Sequence, residues 1–127
     1  MWIDSHLELD VYKKGFELAM QIFWLSKEFP IEERYSLTDQ VRRSSRSVCA
    51  NLAEAWAKRR YEAHFVSKLT DSVGEAGETQ TWLELAVSSN YLEESTARQI
   101  CEDYNRLIHS LNSMIHHSEK WCRSPVQ

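Results

Sequence analysis

The clearest hydrophobic pattern lies in the C-terminal part of the chain. Side chains suited to a core recur there at alternating intervals of four and three, at Ile100, Tyr104, Leu107, Leu111, Met114, Ser118 and Trp121. This spacing is typical of a helix with a heptad seam. A flanking column repeats every seven residues, at Cys101, Ile108, Ile115 and Cys122. The two columns predict a bundle helix over 94–121 that packs against more than one neighbour.

Three further helices are predicted upstream, over 7–28, 37–58 and 63–89. The first should end at Glu28, because Phe29 precedes Pro30 and a residue before proline is disfavoured in the helical conformation. The second should begin at Ser36, whose hydroxyl is placed to cap the helix, with Asp39 three residues later in the manner of a capping box. In the third, Gly74 and Gly77 indicate a tight helix contact or a local bend, because each glycine costs about 1 kcal/mol relative to alanine.

The apolar positions of these three helices predict which faces point inward. The second and third helices each show one main stripe, at Val41, Ser45, Val48, Leu52 and Ala55, and at Phe65, Leu69, Val73, Ala76, Leu83 and Val87. The first helix has an apparent inner face of Leu9, Tyr12, Phe16, Ala19 and Phe23. It also carries an excess of apolar residues, including Leu18, Ile22, Trp24 and Leu25. That excess is either additional core or a surface for self-association.

Four helices joined by short loops predict an all-α, antiparallel up-down four-helix bundle, formed as a single domain over 1–127. The chain has 43% hydrophobic and 27% charged residues, an ordinary globular balance. No apolar run is long enough for a membrane span, and MWIDSHLELD does not resemble a secretory signal. Three cysteines without a CxxC pair favour reduced thiols. We therefore expect a cytoplasmic protein with no membrane partner.

Positive charge is concentrated in residues 42–60, whose net charge is +5 although the whole chain carries −4. The candidate nucleic-acid-binding residues are Arg42, Arg43, Arg46, Lys58, Arg59 and Arg60. Arginine can hold a phosphate with two parallel hydrogen bonds, and RNA or DNA would be the partner. The alternative is structural: the arginines form salt bridges with Glu54 or other acids, within or between subunits, and the last three cations cap a helix.

Two further groups of residues on the predicted helices invite a functional interpretation. Gln40, Ser47, Asn51 and Glu54 are polar positions on a helix rich in small residues, and they form either a structural polar network or, for Asn51 and Glu54, a catalytic couple. A structural role is the prediction. The large indoles Trp24, Trp56 and Trp82 are candidate interface residues, the alternative being partial burial at the edge of the core.

The sequence carries few features that are typical of an enzyme. The sequence has no glycine-rich phosphate loop, no nucleophile elbow and no HExxH motif. His116 and His117 are adjacent, so on a helix they point about 100° apart and do not converge on one metal. We expect a protein that is not an enzyme and that has neither a cofactor nor a metal site.

Seventeen positions between 40 and 92 carry a resemblance to a known family: Gln40, Val41, Arg42, Arg43, Ser47, Asn51, Ala53, Glu54, Phe65, Leu69, Gly74, Glu78, Thr81, Leu83, Ala86, Tyr91 and Leu92. From about Leu9 to Ile115 the chain resembles the small four-helix-bundle proteins encoded in intervening sequences of bacterial 23S rRNA genes. Relatives of that family include the accessory variability determinant proteins of diversity-generating retroelements. Those relatives are pentamers that bind nucleic acid and a reverse transcriptase, so the resemblance implies a homopentamer.

The chain departs from the family pattern at Arg46, Cys49, Ala55 and Glu75. Cys49 stands where the family usually has proline and Ala55 where it usually has glycine, so the helix is expected to continue unbroken. The functional prediction is a non-catalytic oligomeric scaffold or adaptor that binds structured RNA, DNA or a nucleic-acid-associated protein through a basic helix-two surface. The alternative is a structural or protein-binding homo-oligomer with no nucleic-acid role.

Overall fold

The computed structural model describes residues 3–122, and within this range every regular element is helical. Four long helices and one short helix follow in order: α1 (Asp10–Ser26), α2 (Leu37–Ala57), α3 (Glu62–Ser88), α4 (Glu94–His116) and α5 (Ser118–Cys122). Single 3₁₀ turns at His6–Glu8 and Ile31–Glu33 precede α1 and α2. No helix of residues 3–122 is both long enough and apolar enough to cross a lipid bilayer.

Each long helix packs against the next along the chain, and α1 closes the bundle against α4. Within the described residues α1 makes no contact with α3, so these two helices occupy opposite corners. The predicted all-α, antiparallel four-helix bundle is therefore confirmed. The unbroken course of α2 also agrees with the prediction from Cys49 and Ala55.

The inner faces of α2, α3 and α4 follow the predicted stripes. All five predicted positions of α2 and the first six of the α4 seam are buried, from Ile100 to Ser118. On α3, Phe65, Leu69, Ala76 and Leu83 are buried and Val73 packs against the core cluster. A heptad pattern with one dominant apolar stripe thus locates the core correctly on three of the four helices.

The predicted inner face of α1 is correct for Leu9, which is buried, and for Tyr12, which packs against the core cluster, but it is wrong for the rest of α1. Its buried positions are Gly15, Leu18, Ile22 and Ser26, whereas the Phe16 side chain is 52% exposed. A β-carbon at Gly15 would lie 3.5 Å from Cys49 Sγ and from Val48 Cγ1, so α1 approaches α2 closely at this point. A small residue on the inner face and large residues on the outer face invert the pattern that hydrophobicity alone suggests.

The start of α2 is capped by a residue different from the predicted one. Ser36 makes no side-chain capping hydrogen bond; instead the Leu37 amide donates to Glu33 Oε1 at 3.2 Å. The second carboxylate oxygen of Glu33 accepts a hydrogen bond from the Tyr91 hydroxyl at 2.9 Å. Glu33 thereby ties the α1–α2 connection to both the start of α2 and the turn after α3.

These hydrogen bonds make Glu33 a source of pH-dependent stability. The Leu37 amide, followed by the Tyr91 hydroxyl, lowers the pKa of Glu33 below its ordinary value of 4.5. A carboxyl whose pKa is lowered by folding stabilises the protein above the unfolded-state pKa, and this contribution is lost as the pH falls through the folded-state pKa.

We expect Glu33→Ala to lower the free energy of unfolding at pH 7 and to have a smaller effect at pH 3, because the stabilisation by the charged carboxyl is progressively lost as the pH falls through the folded-state pKa. Urea unfolding at the two pH values measures the difference, and Glu32→Ala provides the exposed neighbouring control. An equal loss of stability at both pH values would contradict this role of the Glu33 charge.

The predicted fourth helix ends earlier than expected. α4 stops at His116, because His117 leaves the helical conformation with φ −110° and ψ 32°. The chain resumes as α5, in which Trp121 meets the Trp56 ring edge-to-face at a centroid distance of 6.3 Å. The break therefore turns the last aromatic residue of the seam toward the end of α2.

The two glycines of α3 do not mark a tight contact within the protomer. A β-carbon at Gly74 or at Gly77 would meet no atom within 4 Å, and both positions lie inside an unbroken helix. The predicted close approach or bend is wrong for the single chain. The outer face of α3 carries no side chain at these two positions and has room for the side chains of another molecule.

Candidate interaction surfaces

The six predicted basic residues divide into two groups at opposite ends of α2. Arg42, Arg43 and Arg46 lie in its first half, whereas Lys58, Arg59 and Arg60 follow its last residue, Ala57. Arg42 and Lys58 are sixteen positions apart, which corresponds to about 24 Å along a helix. The two groups are thus separate surfaces on one protomer.

Arg42 is fixed against α1. Its Nε donates a hydrogen bond to Ser26 Oγ at 2.8 Å, and its guanidinium carbon lies 5.1 Å from the centre of the Phe23 ring. Ser26 is 2% exposed, and its hydroxyl in turn donates to the Phe23 carbonyl at 3.1 Å. A buried, oriented hydroxyl therefore holds the Arg42 side chain in one direction.

Arg43 and Arg46 are both exposed but lie in different surroundings. Arg43 faces α3: burial and repulsion from Glu78 raise the pKa of Glu75, and the positive charge of Arg43 opposes that rise. Arg46 lies at the edge of an apolar groove between α1 and α2. Arg43 therefore has an acidic neighbour, Glu75, as the salt-bridge alternative expects.

The predicted pairing of Glu54 with an arginine is wrong. Glu54 instead forms a salt bridge to Lys68 of α3, with Oε2 and Nζ 3.1 Å apart. The hydrogen bond and the attraction of Glu54 raise the pKa of Lys68 above its ordinary value. This salt bridge joins the surfaces of α2 and α3. Glu54 is therefore not the partner of Arg42 or Arg46.

The second basic group forms around the end of α2. The Arg59 guanidinium carbon lies 4.0 Å from the centre of the Trp56 ring, and Nη1 donates to the Trp56 carbonyl at 2.9 Å. Arg59 thus caps the helix, as the structural alternative predicts. Lys58 and Arg60 are exposed, and Arg60 lies 5.8 Å from the Tyr61 ring centre.

The four predicted polar residues do not form one network. Asn51 Nδ2 donates to the Ser47 carbonyl at 2.9 Å, and the Ser47 side chain hydrogen-bonds to Glu75 of α3. Glu54 is engaged with Lys68, and Gln40 makes no hydrogen bond to the other three in the described part of the chain. The proposed catalytic couple of Asn51 and Glu54 is therefore not assembled.

A buried polar cluster does exist between α2 and α3, at positions that sequence reasoning missed. Thr79 Oγ1 lies 2.8 Å from Ser44 Oγ and 2.8 Å from the Glu75 carbonyl oxygen. About two turns earlier on α3, the Ser72 hydroxyl donates to the Val48 carbonyl at 2.9 Å. Ser72 and Thr79 are seven residues apart and fully buried, so their heptad spacing with the apolar residues was the available signal.

The predicted interface tryptophans have three different environments. The Trp24 side chain is 62% exposed, whereas Trp56 is 5% exposed and belongs to the core cluster. Trp82 is half-buried against that cluster. The interface prediction is wrong for Trp56, because an indole enclosed within its own protomer has little surface to offer a partner.

An open groove with a mostly apolar lining lies between α1 and α2, and we call it the α1 groove. Its volume is about 400 Å³, and its lining consists of Tyr12, Phe16, Ala19, Met20, Phe23, Arg46 and Cys49. Phe16 and Met20 are 52% and 40% exposed, and Trp24 continues their four-residue spacing along α1. Exposed apolar residues in one contiguous stripe are typical of an interaction surface.

The reactivity of the Cys49 thiol measures how enclosed its position in this groove is. Burial raises the pKa of Cys49 to about 11, so at pH 8 only about one thiol in a thousand is ionised. Because the thiolate is the reactive form, we expect alkylation of Cys49 by iodoacetamide at pH 8 to be about two orders of magnitude slower than that of free cysteine. Mass spectrometry of the alkylated peptide measures the rate. Labelling at the rate of free cysteine would contradict an enclosed position.

All three cysteines are free, and no cluster of three or more metal-ligating side chains occurs among residues 3–122. The described surface presents a basic group at each end of α2 and the apolar α1 groove.

Comparison with known proteins places this bundle in a family. A family model described as 23S rRNA-intervening sequence protein matches residues 7–113. A similar solved structure is that of a protein of unknown function from the S23 ribosomal protein family of Bacteroides thetaiotaomicron, with 32% sequence identity and a TM-score of 0.76. The similarity covers 84% of this chain and 95% of that protein. No curated protein matches the sequence significantly. The chain therefore belongs to the 23S rRNA-intervening sequence protein family.

Proposed function

We propose that the protein is a non-catalytic, self-associating scaffold or adaptor, and that the α1 groove of one copy receives the outer face of α3 of the next. The observation that carries this proposal is the stripe of Phe16, Met20 and Trp24, which are 52%, 40% and 62% exposed on one side of α1. Three large apolar side chains at a spacing of four would release substantial area from water on contact with a partner.

The outer face of α3 has the shape to cover this stripe. Thr70, Gly74, Gly77 and Thr81 recur there at intervals of four, three and four. The threonine hydroxyls donate to the Val66 and Gly77 carbonyls of their own helix, so they require no external partner. Each glycine costs about 1 kcal/mol relative to alanine, and no packing within the protomer explains either one. A smooth face that accepts bulky side chains is consistent with both observations.

Charge favours the same pairing. Arg46 flanks the α1 groove, and the exposed acids Asp71 and Glu78 flank the small-residue face of α3. Because α1 and α3 lie at opposite corners of the bundle, contact between them on different copies is head-to-tail. Repeated head-to-tail contacts generate a closed ring when the rotation permits. The resemblance to the accessory variability determinant proteins supports a ring of five.

Light scattering of the purified protein tests self-association. We expect a mass several times the 14.9 kDa of one chain, approaching five copies. The mass should persist at moderate salt, because the stripe is apolar and only its flanks are charged. A protein that remains a monomer at micromolar concentration would overturn the proposal. A cytoplasmic setting belongs to the same proposal, supported by three free thiols.

Nucleic-acid binding is the second candidate function. It is supported by Arg46, Lys58 and Arg60, which are exposed and form no salt bridge with a carboxylate of residues 3–122. A ring would repeat these charges around its axis and add their attraction for phosphates.

Reversal of charge at Lys58 and Arg60, which lie outside the α1 groove, separates the two functions. If these residues bind nucleic acid, the double glutamate variant should keep its mass and lose a salt-sensitive gel shift of structured RNA. A loss of mass instead would assign these cations to contacts between subunits. Wild-type protein that shifts no RNA at low salt would exclude this second candidate.

A further inference from the structure

A basic cleft lies where the end of α1 meets the start of α2. Its volume is about 330 Å³, and three cations with two hydroxyl-bearing residues contribute to its lining: Lys27, Arg34, Arg42, Ser26 and Thr38. We propose that this cleft binds a phosphate group. The site lies within one protomer, so it does not depend on self-association, and two of its three cations fall outside the basic helix-two surface.

Arg42 is prepared for such a ligand. Its Nε is hydrogen-bonded to the buried Ser26 hydroxyl, and its guanidinium lies against the Phe23 ring. Arginine has five N–H donors, so the Nη groups stay available when Nε is occupied. No other hydrogen bond of this side chain occurs within residues 3–122. A guanidinium held in one orientation loses little conformational freedom when it binds an anion.

Lys27 and Arg34 bring two more positive charges to the same cleft. Lys27 Nζ lies 4.7 Å from the centre of the Phe23 ring and 5.4 Å from that of Trp24, and the Arg34 guanidinium carbon lies 5.8 Å from that of Tyr35. Neither cation forms a salt bridge with an acid in the described part of the chain, and the cleft lining includes no carboxylate. Glu33, which precedes Arg34 in the chain, is engaged instead with the Leu37 amide and Tyr91.

The chemistry of this lining favours phosphate over a carboxylate ligand. A phosphate monoester carries about −1.5 to −2 charges at pH 7 and offers three acceptor oxygens, which suits a cleft lined by three cations better than a single negative charge does. The cleft is also at the lower end of the roughly 300–1,000 Å³ range of small-molecule sites. It therefore fits a phosphate with little attached, or one phosphate of a longer chain.

Titration of the ¹⁵N-labelled protein with inorganic phosphate, at constant ionic strength, tests the site. We expect saturable shifts at the amides of Lys27, Arg34 and Thr38. Lys27→Gln and Arg34→Gln should each weaken binding about tenfold, the loss expected when a charged hydrogen-bond donor is removed. Lys13→Gln is the matched control, because it removes one exposed positive charge of α1 outside the cleft. We expect the wild-type protein to bind acetate no more tightly than the weakest variant binds phosphate.

Short single-stranded RNA identifies the source of the phosphate. If RNA displaces inorganic phosphate and loses affinity in Lys27→Gln and Arg34→Gln, the cleft holds a nucleic-acid phosphate. If RNA leaves the phosphate shifts unchanged, the ligand is a small phosphorylated compound. The proposal is overturned by the absence of saturable shifts at the cleft, by equal weakening in Lys13→Gln, or by acetate binding as tightly as phosphate. Because these readouts are shifts and not mass, they stay distinct from a failure of self-association.

Discussion

The Phe16→Asp, Trp24→Glu double variant is expected to be a folded monomer. Both side chains are more than half exposed in the protomer, so their replacement should leave the helical circular dichroism spectrum unchanged. Burial of a large apolar side chain contributes about 1.5–3 kcal/mol, and two such losses correspond to a roughly 10²- to 10⁴-fold weaker contact between subunits. A carboxylate forced into an apolar contact would weaken it further.

Light scattering at a fixed protein concentration measures this effect. Ile31→Asp is the matched control, because Ile31 is 74% exposed and lies outside the α1 groove. The control should keep the mass of the wild-type protein. If the double variant also keeps that mass, the α1 groove does not mediate assembly, and another surface must be responsible.

The Leu111→Ala variant is expected to lose a large part of the protomer's free energy of unfolding. Leu111 is fully buried in the middle of the α4 seam, and removal of a buried leucine side chain typically costs about 2–5 kcal/mol. That is a large part of the roughly 5–15 kcal/mol by which small domains are stable. Asn112→Ala changes the exposed neighbouring residue and should stay within about 0.5 kcal/mol of the wild-type protein.

Urea unfolding followed by circular dichroism measures both variants. Self-association would add a concentration-dependent term to the apparent stability. The comparison is therefore cleanest in the Phe16→Asp, Trp24→Glu background, in which the protomer is expected to unfold alone. A Leu111→Ala variant as stable as Asn112→Ala would show that the seam does not form the core of α4.

The bundle was predictable because α2, α3 and α4 each carry one dominant apolar stripe. Every heptad position from Ile100 to Ser118 on α4 and α5 is buried, and Asp103, beside the seam, is the one further buried residue in this range. A single stripe leaves one solution for the inward face, and tertiary packing then agrees with local pattern. The break at His117 was not predictable in this way, because the apolar pattern itself continues through Trp121.

The orientation of α1 could not be derived from hydrophobicity, because this helix is apolar on more than one side. The larger side chains Phe16 and Trp24 face outward, and Gly15 faces inward, where α1 approaches α2 closely. The choice depends on the shape of the neighbouring helices, which a single-helix pattern does not contain. Similarly, Glu33 replaced Ser36 as the cap because its partners Leu37 and Tyr91 are brought together only by the fold.

The sequence shows the positive charge along α2, but it does not show that this charge is divided into two separate groups. Counting charge over residues 42–60 treats them as one patch, whereas the helix separates the two groups by about 24 Å. The cations Lys27 and Arg34 were missed for the opposite reason. They are distant from Arg42 in sequence, and the turn between α1 and α2 brings all three to one cleft.

The order in which the helices meet has a consequence for the timing of assembly. Each long helix packs against its neighbour in sequence, and α1 must also close against α4 from the other end of the chain. Contacts between distant parts of a chain form late, because they require a large loop to close. The α1 groove consists of residues from both α1 and α2, so it does not exist until α1 has docked. A protomer would therefore become competent for assembly only after its own folding is complete.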